Sequence, residues 1–195
     1  MVAAQLIDFD FFGFVLLGVE HLRLVPGIIA SNWLDLYDMP YTHSLLGTGV
    51  WAAGFAALIG LIFRSHQAAL IAALVVVSHW LVDYLVHRPD LTLAGSPPKL
   101  ELGLWNTPLI ERPLELGMAF GALAFYIART RPASTRAGWA LGVFVVVLAL
   151  VQAVDWFGPR TTVVDASLPL TALTAYSVLT ALAVWLQSTR VKPTA

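Results

Sequence analysis

Five stretches of this chain are each long and apolar enough to fill the hydrocarbon thickness of a bilayer, which takes about 20 helical residues. They run over residues 44–63, 67–86, 110–128, 137–157 and 167–187. Residues 2–19 form a sixth candidate, weakened by Asp8 and Asp10. Lipid offers the backbone no hydrogen bonds, so apolar runs of this length fold as helices. The expected fold is therefore all-α, a polytopic membrane helix bundle with five to six transmembrane helices. Composition agrees. The chain is 58% hydrophobic and only 12% charged, about half the charged share of a soluble domain, and its mean hydropathy is +0.78. One transmembrane domain over residues 1–195 is expected, with no soluble domain and no repeat. Residues 87–109, rich in Pro and Gly, read as a loop, and 32–41 as a second polar loop. The first eight residues carry no basic region, so no cleaved signal peptide is expected.

Charge gives an orientation. Arg64, then Arg129, Arg131 and Arg136, then Arg190 and Lys192 lie in three connections that hold no Asp or Glu. By the positive-inside rule these face the cytoplasm, which also places the C-terminus there. The loops on the other face hold Asp35, Asp38, Asp90, Glu101 and Asp165. Nearly every residue able to bind a metal falls on that extracytoplasmic side. The net charge of −1 says nothing about partners, and no basic cluster points to nucleic acid. With no cysteine, thiolate and iron–sulfur chemistry are excluded, and any metal must be held by N and O donors.

The candidate chemistry is concentrated in Ser78-His79-Trp80-Leu81-Val82-Asp83-Tyr84-Leu85-Val86-His87-Arg88-Pro89-Asp90. On a helix His79, Asp83, His87 and Asp90 fall within about 80° of one another. Ionisable groups in hydrocarbon cost several kcal/mol, so they face a partner, a cavity or an ion. Imidazole mixed with carboxylate suits a divalent transition metal; it equally suits a polar network that ties helices together. His43, in Tyr41-Thr42-His43-Ser44, opens the segment 44–63 on the same side, with Thr42 or Ser44 as its cap. Glu20-His21 forms a third group. Asp8 and Asp10 lie about 200° apart on a helix, so only one can face the interior. Glu111 and Glu115 share a face, with Arg112 beside them. His66, next to Arg64, reads as a solvated loop residue. The tryptophans fit an aromatic belt.

These residues resemble a known pattern: Ile7-Asp8-Phe9-Asp10 as a D-x-D, then Thr42-His43-Ser44-Leu45-Leu46, then Ser78-His79 with Asp83, then Leu102-Gly103-Leu104-Trp105-Asn106. The pattern is similar to that of the YdjM-like family of inner-membrane metal-dependent hydrolases, distantly related to the zinc-dependent phospholipase C and nuclease superfamily. It covers roughly the first 110 residues, leaving 111–195 mostly as scaffold. The resemblance implies a divalent ion, zinc first, manganese or iron otherwise. It implies ligands from Asp8, Asp10, His43, His79 and Asp83, with His21 and His87 as further candidates. Asp10, Glu20 or Asp90 would serve as general base, and Arg88 or Arg112 would steady a phosphate. Asp38, Glu111 and Asp155 are candidates to orient the ligating imidazoles. The implied substrate is a phosphoester or lipid-like molecule drawn from the membrane lipid. A non-enzymatic membrane subunit or transporter, with a His/Asp network as its polar route, is the alternative. A haem held by His79, His87 or His43 is a third reading.

Overall fold

In a computed structural model, residues 1–160 and 162–193 are described. Helix carries most of them. In chain order the elements are α1 (Val2–Leu16), β1 (His21–Leu24), β2 (Leu34–Asp38), α2 (Leu45–Phe63), α3 (His66–Val86), β3 (Leu91–Thr92) and β4 (Lys99–Leu100). After a 3-10 turn over Leu104–Asn106 come α4 (Pro108–Ala128), β5 (Arg131–Pro132), α5 (Arg136–Phe157), α6 (Ser167–Ser188) and β6 (Arg190–Val191). The chain divides into two compact units, Met1–Thr107 with Arg160–Leu173, and Pro108–Pro159 with Thr174–Ala195.

Four helices, α2, α3, α5 and α6, are long and apolar enough to cross a membrane. Their surfaces are the reason to place them in lipid. In the apolar window of α2 only 11% of residues are buried, and in that of α3 only 28%. Leu61, Phe63 and Val50 stand more than half exposed, an apolar area that water would not tolerate. The other two predicted spans differ. α1 has 15 residues, which is ~22 Å of helix against a hydrocarbon core of ~30 Å. α4 forms where a span is predicted, but Glu111, Arg112, Pro113 and Glu115 crowd its first two turns.

In the first unit, α2 and α3 form an antiparallel hairpin. α2 ends at Arg64, which takes a left-handed conformation (φ 48°). Ser65 follows, and its hydroxyl accepts from the Ala68 N–H to start α3. His66 is thus the first residue of α3 rather than part of a loop. α1 lies against the pair, and Ile7, Ala52 and Val76 form the shared core, with Leu6, Trp51, Phe55 and Val77 around them. In the second unit Ala140, Phe144 and Leu186 pack with Leu123, Tyr126 and Leu182.

Two segments predicted as loops hold strands. Residues 32–41 contain β2, which pairs antiparallel with β1, His21 opposite Asp38 and Leu24 opposite Leu34. The period-two alternation in Leu34-Asp35-Leu36-Tyr37-Asp38 carries that signal. Between 87 and 109, β3 pairs with β4. The helical stripe is also shorter than predicted. α3 stops at Val86, with His87 as its extended C-cap, because a helix does not run through the residue before Pro89. Asp90 is therefore in a turn, not on the helix.

Candidate metal centre

The hairpin brings the start of α2 and the end of α3 to the same end of the first unit, and that end holds the site. Asp8 comes from α1, His43 from the turn before α2, His79 and Asp83 from successive turns of α3, and His87 from its cap. Asp8, His43 and His79 each offer one donor atom, and these all lie within 4.8 Å of one another. Asp8 Oδ1 is 3.7 Å from His43 Nε2 and 3.5 Å from His79 Nε2. Asp83 Oδ2 is 3.1 Å from His79 Nε2 and 3.8 Å from His43 Nε2. Its other oxygen, Oδ1, is 3.7 Å from His87 Nε2.

Each imidazole is held from behind through Nδ1. His79 Nδ1 lies 3.1 Å from the Ala4 carbonyl, which can only accept, so Nδ1 carries the proton. His87 Nδ1 donates in the same way to Asp90 Oδ1 at 3.0 Å. For His43 the partner is the Thr42 hydroxyl at 2.8 Å. That hydroxyl spends its own hydrogen on Glu20 Oε2 at 2.6 Å, so it accepts from His43 Nδ1. Three Nδ1–H groups therefore point outward and three Nε2 atoms point inward. This is how ligating histidines are oriented by the groups behind them.

The inward atoms do not satisfy one another. His79 Nε2 and Asp83 Oδ2 are both buried, and neither has a hydrogen bond of acceptable geometry. A bare Nε2 facing two carboxylates is repulsive, and either a proton on that nitrogen or a metal ion between the groups relieves it. The separations also fit an ion. Two donors about 2.1 Å from one metal sit about 3.4 Å apart at tetrahedral angles. His87 feels the same field. Burial opposes its charged form, but the Asp83 and Asp90 carboxylates outweigh burial and raise its pKa above the ordinary value. The donor set, imidazole with carboxylate and no sulfur, suits zinc, manganese or iron.

The surroundings fix these groups tightly. The Trp80 indole donates to the His43 carbonyl at 3.1 Å. Phe11 meets the His43 ring edge-on, and Trp105 stacks on His87 with ring centroids 4.1 Å apart. Ser44 rather than Thr42 caps α2, accepting from Gly47 N–H and donating to the Pro40 carbonyl.

Other predicted site residues lie elsewhere or behind the ligands. Glu20 is fully buried and its carboxylate accepts from Tyr41 N, Thr42 N and the Thr42 hydroxyl. It backs His43 and does not face the donors. Asp90 backs His87. His21, on β1, pairs with Asp38 at 2.9 Å, and both are nearly half exposed. α1 is regular through Asp10, so Asp10 points away from Asp8; its buried Oδ2 has no hydrogen bond. Arg88 bonds Asp35 at 2.8 Å, opposite Arg23. Arg112 lies over Trp156 and Phe157 in the second unit. There Glu115 accepts from Gln152 and Trp156. The Ala4 carbonyl was not legible as a site group. Thr42 and Trp105 stood in the segments that carry the resemblance, without a role at the site.

Comparison of the chain with protein-family models, curated proteins and solved structures gave no match.

Proposed function

We propose that this chain is a membrane-embedded, metal-dependent hydrolase of the YdjM-like kind, acting on a phosphoester or lipid-like substrate at the extracytoplasmic face of a bacterial inner membrane. The observation that carries the reading is the convergence of Asp8, His43 and His79 with Asp83. Their donor atoms face one another at 3.1–3.8 Å, and every imidazole gives its Nδ1 to a group behind it, which leaves Nε2 as the inward atom. A divalent ion at this position supplies a Lewis acid and brings the pKa of water toward neutrality.

The chain's own residues divide the remaining work. His43, His79, Asp8 and Asp83 hold the ion. Thr42, the Ala4 carbonyl and Asp90 orient the imidazoles. Of the three carboxylates predicted as general bases, Glu20 and Asp90 are fixed by their bonds to Thr42 and His87. Asp10 turns away from Asp8 on α1, so none of the three is placed at the ion. The site belongs to the end of α2 and α3 opposite Arg64, which the positive-inside rule assigns to the cytoplasm. That depth favours a substrate presented by the membrane.

Elemental analysis of purified protein tests the reading. Wild type is expected to hold zinc, manganese or iron, and His79→Ala and Asp83→Ala to lose it. A wild type that stays metal-free with all three metals supplied, or variants that keep full occupancy, overturns it. A phosphoester and phospholipid hydrolysis screen on the loaded protein then tests the substrate class.

A further inference from the structure

The β1–β2 ribbon builds a second cluster through its register. Arg23 on β1 stands opposite Asp35 on β2, and its Nε donates to Asp35 Oδ2 at 2.6 Å. Arg88, just beyond the end of α3, donates from Nη1 to the other oxygen, Oδ1, at 2.8 Å. Asp35 is 2% exposed. One buried carboxylate is thus shared by two guanidiniums.

A single arginine would balance Asp35. The second leaves one positive charge over, because a guanidinium stays protonated in proteins. Asp38 and Asp90, the next acids along the two segments, pair with His21 and His87 instead. Each guanidinium spends one nitrogen on Asp35 and, among the described residues, bonds no other. Arg23 is bound through Nε, so its Nη1–Nη2 edge is left, and that is a fork able to grip two oxygens of a phosphate. The Arg23 side chain is 64% exposed and that of Arg88 26%, so both are open to a ligand. Arg23 is also held from the side, with its Cζ 5.1 Å from the centre of the Tyr37 ring. The two cations are fixed before anything binds, which spares a ligand the cost of ordering them.

We propose that Arg23 and Arg88, clamped by Asp35, form a binding site for a phosphodiester. A diester carries a single negative charge, which matches the single positive charge left over. Arg88 directly follows His87, so this site lies at the same end of the first unit as the metal centre. It is beyond the last turn of α3, where the membrane reading puts the lipid headgroups. The site stands on the ribbon and not on the metal. Taken with the metal-centre reading, it names the handle by which a phosphodiester substrate is held.

Calorimetric titration of the full chain in phosphate-free detergent, at one fixed low salt, tests it with two probes. Glycerophosphoglycerol is a free phosphodiester, and dihexanoyl phosphatidylglycerol is the same diester on a lipid. Wild type is expected to bind, Arg23→Gln to bind about tenfold more weakly for the loss of a charged donor, and His79→Ala to bind as wild type does. Arg23→Lys keeps the charge and loses the fork, and is also expected to bind more weakly. Gel filtration and circular dichroism establish that each variant folds. Weakened binding of both probes assigns the site to the diester itself; weakened binding of a lipid that alone binds assigns it to membrane headgroups. Equal affinity in wild type and both Arg23 variants, or no binding of either probe, overturns the proposal. So does binding lost in His79→Ala and kept in Arg23→Gln, since the phosphate then sits on the metal centre. A wild type that holds no metal yet binds the diester through Arg23 overturns the hydrolase reading and leaves this site standing.

Discussion

Thr42 shows how much one hydroxyl can decide. Its hydrogen goes to Glu20 and its oxygen takes the proton side of His43, so a buried carboxylate orients an imidazole it never touches. Replacing such outer groups weakens metal binding about 10–100-fold. Thr42→Val is expected to weaken Zn2+ binding by that factor in a competition titration against a chromophoric chelator, and Thr42→Ser to keep it near wild type. Equal affinity in Thr42→Val and wild type would show that the hydroxyl does not orient His43. The dipeptide Thr42-His43 was visible in the sequence, but its partner Glu20 stands 22 residues away. Only the β1–β2 ribbon, which carries the chain back toward Tyr41, brings them together.

The elements place the site through their ends. α2 starts immediately beyond His43, and Gly47 in its first turn allows that start to close tightly. A Cβ at Gly47 would lie 2.3 Å from the Tyr41 carbonyl oxygen. That neighbour is backbone and cannot step aside. Gly47→Ala is therefore expected to cost about 1–3 kcal/mol, the usual range for overpacking, and to lower metal occupancy by displacing the Thr42–His43 turn. The apparent melting temperature in detergent and the metal content should fall together; an unchanged melting temperature would show that the turn adapts.

At the head of α6, Asp165 accepts from the N–H and hydroxyl of Ser167, and these bonds hold its pKa below the ordinary aspartate value. A carboxylate depressed in the fold stabilises above its unfolded pKa and loses that contribution as pH falls through the folded value. A melting profile between pH 6 and pH 3 should therefore be flatter for Asp165→Asn than for wild type. Parallel profiles would remove Asp165 from the cap. The helices themselves were legible, since an apolar run of 20 residues has few alternatives. Their ends were less so. The stripe from His79 to Asp90 reads as one helix, yet Pro89 stops α3 at Val86, and His87 and Asp90 reach the site through a cap and a turn.

At the scale of the whole molecule, four helices are long and apolar enough to cross a membrane, and most of their apolar surface is exposed. The chain is expected to remain in the membrane fraction through an alkaline carbonate wash, detected by immunoblot; release into the supernatant would contradict the membrane assignment. The sequence alone determined the class of this protein, because hydropathy acts residue by residue and needs no partner. It also determined which imidazoles and carboxylates are available, and that sulfur is not among the donors. The tertiary structure decided which of them meet. It chose Asp8 over Asp10, because a regular helix can turn only one of the two inward. It set Glu20 and Asp90 behind the ligands and sent His21 to the exposed β1–β2 ribbon. Those choices depend on the α2–α3 hairpin and on contacts between residues tens of positions apart, and no local pattern in the chain encodes such distances.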